Sequence, residues 1–308
     1  MNYLIIGGAG FIGSHIVDKL IEKGHTVTVF DNLINGNRLF VNKGAVFTWG
    51  DIRNYSDIER ILKGEHFDRC INLAAQPFIP KCYEDPILFF ETNANGALNV
   101  LLACEKFKVD RVLQYASAEE YGTQTGKISE ETPIRPQSTY GVSKVAADYL
   151  CQVRLRESGI RVISLRQFNC YGPRETHEYV IPEIIRQASE SNSIYLGNIK
   201  SERDFLYVED AAEYAIELLE MGVPGEIYNL GSSSCISVED LAHKIGGLFG
   251  HKNVFIQIDS NKLRPWDIER LESDNTKIHK VVSFRPKVDF DIGLKKTIEY
   301  FEKYGWDF

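Results

Sequence analysis

A tyrosine and a lysine one helical turn apart carry the first chemistry legible in this chain. Tyr140 and Lys144 stand at i and i+4 in a segment patterned as a helix, so they share a face. A free phenol titrates near 10 and is too weak a base at neutral pH. A lysine ammonium about 4 Å away, at an effective dielectric near 20, contributes roughly 4 kcal/mol, or about three pK units. Such a pair would make a phenolate general base. The same spacing also arises by chance on ordinary helices, so it needs its surroundings.

A second constellation lies at the start of the chain. Gly7-Gly8-Ala9-Gly10-Phe11-Ile12-Gly13 follows an apolar strand pattern and opens an amphipathic helix. Glycines Gly7, Gly10 and Gly13 let the chain turn tightly and let backbone approach a pyrophosphate. The helix N-terminus beginning at Phe11 and Ile12 then favours the anion. Asp31-Asn32 ends the second strand pattern, where a carboxylate can accept both adenosine ribose hydroxyls and repels a 2'-phosphate. NAD is therefore expected over NADP; a plain surface turn is the competing explanation. Asp51-Ile52 could hold the adenine, with Asp51 taking the amine and Ile52 the ring face. Leu73-Ala74-Ala75 offers small residues past which a dinucleotide could thread, or which simply pack. Asn93 either orders the cofactor loop or faces solvent.

The elements that must position these residues alternate. Strands are expected over residues 3–6, 26–30, 45–49, 69–73, 111–115 and 161–165. The helices between them carry an i, i+4 stripe (Ile12, Ile16, Leu20) and then span about 55–62, 85–107 and 140–158. Strands separated by helices imply right-handed crossovers and an α/β fold, a doubly wound parallel sheet of Rossmann type. Beyond residue 169 the rhythm loosens. Helices are expected over 181–189, 208–220, 238–248 and 292–303, with short strands over 194–196, 227–230 and 254–258. The expected division is a dinucleotide-binding domain over 1–168 and a smaller α+β substrate lobe over 169–308, with segments around 204–230 returning to the first domain.

The motifs taken together resemble the extended short-chain dehydrogenase/reductase family, in particular its NAD-dependent nucleotide-sugar epimerases and dehydratases. They are the 7–13 glycine cluster, Asp31-Asn32, Ala74-Ala75, Ser117-Ala118-Glu119-Glu120-Tyr121-Gly122, Tyr140-Gly141-Val142-Ser143-Lys144, Arg166-x-x-Asn169-x-Tyr171-Gly172-Pro173, Arg203-Asp204-Phe205-x-x-Val208-x-Asp210, and Arg264-Pro265 followed by Asp274-x-x-Lys277. The resemblance covers essentially the whole chain. It implies that Tyr140 is the base, that Lys144 holds the cofactor ribose and tunes Tyr140, and that Ser117 binds the sugar C4 oxygen. It also implies that Asn169 touches the substrate near its diphosphate, which Arg203 and Arg264 neutralise. Independently, two arginines kept in the lobe facing the cofactor edge of an acidic protein suit a bidentate phosphate clamp. Ion pairs with Asp204 or Asp267 are the plainer use for them.

The resemblance also bears on the reaction. Its members begin with oxidation at C4; epimerases return hydride to the other face, whereas 4,6-dehydratases use a glutamate to remove the C5 proton as water leaves C6. Glu119 matches that glutamate. Ala118 departs from the pattern, since many dehydratases carry a proton-donating aspartic acid there. Glu119 itself, Tyr121 or a water would then have to serve. The region from 180 to 277 looks most like dehydratases acting on nucleotide-linked N-acetylglucosamine, and 4,6-dehydration is the expected activity. Alternatives are 4-epimerisation, then decarboxylation of a nucleotide-sugar acid or reduction of a 4-keto sugar. A catalytically silent dinucleotide sensor is the non-enzyme alternative.

Composition narrows the remaining classes. The chain has 308 residues, of which 44% are hydrophobic and 25% charged, so it can bury a core without disulfides and is not a disordered sequence. A net charge of -8 without a Lys/Arg run argues against non-specific nucleic-acid binding. No uninterrupted apolar stretch of membrane-spanning length is apparent, and the start at Met1 reads as cytoplasmic. Six scattered cysteines without a CxxC pair, and dispersed histidines, imply neither disulfides nor a metal. The helices over 85–107 and 140–158 carry apolar residues on more than one face, among them Phe89, Phe90, Leu101, Tyr149 and Val153. The family commonly pairs such helices across a two-fold axis, so a homodimer is expected.

Overall fold

The computed structural model describes residues 1–305. Its first half alternates β1 (Asn2–Ile6), α1 (Phe11–Glu22), β2 (Thr26–Asp31), β3 (Val46–Trp49), α2 (Tyr55–Gly64), β4 (Arg69–Asn72), α3 (Ile79–Cys82), α4 (Pro86–Phe90), α5 (Gly96–Lys106), β5 (Arg111–Ser117), α6 (Thr139–Ser158) and β6 (Val162–Gln167). There follow β7 (Asn169–Tyr171), α7 (Val180–Glu190), β8 (Ser193–Leu196), β9 (Glu202–Tyr207), α8 (Val208–Met221), β10 (Ile227–Leu230), β11 (Cys235–Ser237), α9 (Val238–Leu248), β12 (Phe255–Ile258), β13 (Arg270–Leu271) and α10 (Phe290–Tyr304).

Seven strands form one parallel sheet in the order β10-β6-β5-β4-β1-β2-β3. Alternation along β1 feeds two apolar layers. Tyr3 and Ile5 pack with Ile16 and Val17 of α1 and Leu218 of α8, whereas Leu4 and Ile6 pack with Ile58, Val100 and Cys151 on the other face. Since β1 pairs with both β2 and β4, the strand order reverses there. Ligands of such sheets bind in the crevice outside the carboxyl ends at that reversal. The doubly wound sheet expected from the alternating pattern is therefore present, with β5 and β6 each running two residues beyond the expected end, to Ser117 and Gln167.

The helix expected over 85–107 is broken. A π turn, Glu91–Asn95, separates α4 from α5. By length and composition alone the run Pro86–Lys106 could cross a membrane, yet Val100, Leu101, Ala103 and Cys104 of it are buried against the sheet.

A second core gathers α7, α9 and α10 around β9. The first half of β9 pairs with β11 and β13, and its second half pairs with β7. Sequence periodicity does not reveal this strand, because it opens on Glu202-Arg203-Asp204 although Arg203 and Asp204 are buried. Directly after Tyr207 the chain crosses back as α8, whose Ala211, Ala215 and Leu219 join the first core, and β10 closes the seven-stranded sheet beside β6.

Candidate active site

Helix α1 starts at the reversal point with Gly10 as its N-cap, no side-chain cap and no acidic residue in its first turn. Its free N–H groups can serve an anion. Gly10, Phe11, Ile12 and Gly13 line a cleft of about 790 Å³ that runs between the sheet edge and the second core. The backbone here admits no side chain. A Cβ on Gly13 would lie 2.2 Å from the Gly7 carbonyl oxygen, and one on Gly7, at φ +81°, 2.8 Å from the Ala74 nitrogen. A pyrophosphate fits that cradle.

Asp31, at the end of β2, accepts the Ala9 N–H at 2.9 Å and the Leu33 N–H at 2.8 Å. Burial raises its carboxyl while these donors oppose the shift. Asp31 and Asn32 line the cleft, as do Ile52, Leu73, Ala74 and Ala75. This wall suits an adenosine whose ribose sits on Asp31 and whose ring lies on Ile52.

Two expected cofactor contacts are placed differently. Asp51 is not among the cleft-lining residues; its carboxylate holds Arg53 at 2.6 Å and the Asn32 amide at 3.0 Å. Burial pushes that carboxyl up, but hydrogen bonds from the Arg53 side chain and backbone and from Asn32, together with the Arg53 charge, leave it below its usual value. Asn93 is 2% exposed and also lies off the cleft. It holds both Gln76 backbone groups and the Ser143 hydroxyl. Of the two roles open from spacing, it orders the loop rather than meeting solvent.

The catalytic candidates converge from three elements. Ser117 terminates β5, Glu119 follows in the turn Ala118–Glu120, and Tyr140 and Lys144 lie on the first turns of α6, capped by Ser138 accepting the Gly141 N–H at 3.0 Å. All four line the cleft. The Tyr140 phenol is raised well above its ordinary value by burial; its hydrogen bond with Ser117 opposes this, and Glu119 and Glu120 add to it. The Lys144 ammonium, one turn along α6 from Tyr140, donates to the Tyr115 carbonyl at 2.6 Å.

On the opposite wall, Asn169 begins β7 and Arg203 lies in β9. Arg203 holds Asp267 at 3.0 Å and Arg264 approaches the same carboxylate at 3.8 Å. Asp267 is thus the partner of both, whereas Asp204 instead accepts backbone N–H groups of Ser232, Ser233 and Ser273. Burial raises the Glu119 carboxyl, and Arg203 and Arg264 pull against it. Glu119 and the arginine pair therefore share one electrostatic cluster.

Other cleft residues were not singled out from sequence. Tyr179 lies within the fields of Glu175, Tyr140, Arg264 and Glu119. Glu175 is 5% exposed and pushed up by burial. His177, its ring 5.3 Å from Phe78, is pulled down to about 4 by burial and is a neutral imidazole. The only signal for this group was its place just after Asn169-x-Tyr171-Gly172-Pro173. Tyr121 is fully buried, its hydroxyl donating to Asn229 and accepting from Arg166, and it is absent from the cleft lining.

Comparison with known proteins agrees with this arrangement. The model of the NAD dependent epimerase/dehydratase family matches residues 3–231. A UDP-N-acetyl-alpha-D-glucosaminuronate decarboxylase from Bacillus cytotoxicus is 31% identical, covering 97% of this chain and 97% of its own. A UDP-glucose 4-epimerase from Thermus thermophilus in complex with NAD superposes with TM-score 0.91 at 31% identity, over 99% of this chain and 100% of its own. A dTDP-glucose 4,6-dehydratase from Streptomyces venezuelae with NAD bound superposes at 0.92 and 28% identity, over 99% and 98%. With its glycine cradle, its converging Ser117, Tyr140 and Lys144, and these relatives along its length, the chain belongs to the NAD dependent epimerase/dehydratase family of sugar-nucleotide enzymes.

Proposed function

We propose that this protein is an NAD-dependent nucleotide-diphosphate-sugar 4,6-dehydratase, a lyase acting in the cytoplasm as a homodimer. The observation that carries the reading is Glu119, a carboxylate in the cleft beside Ser117 and Tyr140 whose proton affinity is raised by burial. A raised carboxyl is better matched to taking a carbon-bound proton near neutral pH.

The glycine cradle, Asp31 and Lys144 would hold NAD, which would supply the hydride acceptor for C4 and the hydride source for C6. Tyr140 takes the C4 hydroxyl proton while Ser117 holds that oxygen. Glu119 then removes the C5 proton, acidified by the adjacent ketone. As the C6–O bond breaks, Glu119 returns the proton to the departing hydroxyl and water leaves; when C6 takes hydride, C5 takes a proton from solvent, and Tyr140 gives up the C4 proton to solvent. Ala118 has no proton to give, and Tyr121 is committed to Arg166 and Asn229. Asn169, Arg203 and Arg264 receive the diphosphate, the arginines exchanging part of their hold on Asp267 for phosphate oxygens.

A reducing compartment agrees with six unpaired cysteines. Dimerisation is supported by an apolar face on α4 and α6, where Ile87, Val142 and Tyr149 are 69%, 45% and 53% exposed and Phe90 and Val153 lie beside them. A second reading, 4-epimerisation, is favoured by Ala118, because an epimerase needs no acid there. Mass spectrometry of products from a panel of nucleotide sugars separates the activities. Loss of water supports dehydration, unchanged mass with an altered sugar supports epimerisation, and loss of carbon dioxide from a sugar acid supports decarboxylation.

A further inference from the structure

Behind Lys144 lies a buried ion network that the reaction above does not use. One turn after Lys144 on α6, Asp148 is fully buried. Its Oδ2 accepts from both Nε and Nη2 of Arg166 on β6, at 3.0 and 2.6 Å. Arg166 Nε also donates to Glu120 at 3.1 Å, and the other Glu120 oxygen accepts the Ser117 N–H at 3.0 Å. Asp148 Oδ1 is buried with no hydrogen-bond partner among the described residues. Lys144, Arg166, Glu120 and Asp148 are each 3% exposed or less.

The charge count decides what such a cluster does. On the alkaline side, once Glu120 has ionised, two cations and two anions are neutral together in a dry site, where an unpaired charge is costly. Arg166 does not shed its proton, so any excess positive charge is relieved at Lys144. The groups facing Lys144 are Glu120 from the turn after β5, Asp148 and Cys151 from α6, and the Tyr115 carbonyl from β5. Asp148 and Glu120 face Arg166 from β6, and the Tyr121 hydroxyl accepts from its remaining arm. Burial pulls Lys144 down to about 8, and the two carboxylates hold it from falling further.

We propose that Asp148, acting with Arg166 and Glu120, is a positioning residue whose charge keeps Lys144 an ammonium and thereby sets the alkaline limit of cofactor binding and of C4 oxidation. This rests on the reading of Lys144 as the group that holds the cofactor ribose beside Tyr140. Loss of a neighbouring opposite charge shifts a titration by about one to three units. Glu120, pushed up to about 8 by burial and then by Asp148, ionises more firmly once Asp148 is neutral and offsets part of the change. A shift near the low end is expected.

The test is NAD binding by the full chain, freed of nucleotide, measured by calorimetry from about pH 6 to 10. In Asp148→Asn the alkaline midpoint should move down by about one unit, and Asp148→Glu should restore it. Arg166→Gln, which removes the competing cation, should move it up. A damaged fold would weaken binding in every variant without giving opposite signs. An unmoved midpoint in folded Asp148→Asn, or movement in the same direction in both variants, overturns the proposal. The readout does not depend on the sugar: these shifts with no turnover of any nucleotide sugar would uphold the network and remove the dehydratase reading instead.

Discussion

Asn93 holds Gln76 from both sides, its Oδ1 accepting the Gln76 N–H at 2.7 Å and its amide donating to the Gln76 carbonyl at 3.2 Å. The same amide donates to Ser143 Oγ at 3.0 Å, and that hydroxyl donates to the Tyr140 carbonyl. The π turn Glu91–Asn95 presents Asn93 to the loop, and π turns recur at functional positions. One side chain thus ties the loop at Gln76 to helix α6 at Tyr140 and Ser143.

Replacing Asn93 by leucine leaves two buried Gln76 backbone groups unpaired, at about 1–3 kcal/mol for each group lost. The expected result is a lower urea midpoint together with weaker NAD binding by calorimetry. Asn93→Asp, which keeps the acceptor for the Gln76 N–H, should recover part of both. Parent-like stability in Asn93→Leu would show that the clamp is dispensable.

Asp31 should decide between dinucleotides. Its carboxylate already accepts two backbone N–H groups and retains lone pairs for the ribose diol. The parent should bind NAD more tightly than NADP. Asp31→Asn should narrow that preference by about tenfold, the equivalent of roughly 1.4 kcal/mol, by removing repulsion of the 2'-phosphate. Tighter NADP binding by the parent would contradict the assignment.

The parts of this site most legible in the sequence are those whose physics is local. Gly7 to Gly13 spell a turn that excludes side chains, and Tyr140 and Lys144 share a face because a helix repeats every 3.6 residues. Residues that act across the fold were illegible for the same reason. Nothing near Arg166 in the chain announces Asp148 and Glu120 as its partners, and the choice of Asp267 over Asp204 as the ion-pair partner of Arg203 and Arg264 is made only by the packing of β9 against the 264–267 segment. The motif acids Asp204 and Asp210 proved to bind backbone, Asp210 receiving the Lys287 and Val288 N–H groups. Strand β9 was hidden because charged residues serve buried duties there, and that defeats a pattern built on hydrophobicity.

The acid side of the pH profile should report Glu119 if it is the proposed C5 base. It must be ionised to take a proton, and burial raises its affinity against the pull of Arg203 and Arg264. Turnover at saturating substrate should therefore fall as pH drops through a value above the ordinary glutamate figure of about 4.3. Arg264→Gln removes one opposing cation, so the limb should move to higher pH. Movement to lower pH would place Glu119 outside that field.

The exposed face of α6 should carry a second copy. Val142, Tyr149 and Val153 follow helical spacing and remain exposed, whereas Phe89 and Leu101 turn to the interior. Light scattering at micromolar concentration should give a dimer mass for the parent and a monomer mass for Val153→Glu, with the sheet core intact by circular dichroism. A monomeric parent would contradict this.

The most direct measurement of the central claim follows deuterium at C5. Parent enzyme turning over its nucleotide sugar in deuterium oxide should yield a product that has lost water and carries deuterium at C5. Glu119→Gln keeps the size and hydrogen bonding of the side chain but cannot accept the proton, and loss of such a group typically costs about 10²- to 10⁴-fold. That variant should still oxidise C4, building up the absorbance of reduced nicotinamide, and should make no dehydrated product. A parent product of unchanged mass with no deuterium at C5, and a Glu119→Gln variant nearly as active as the parent, would contradict the account.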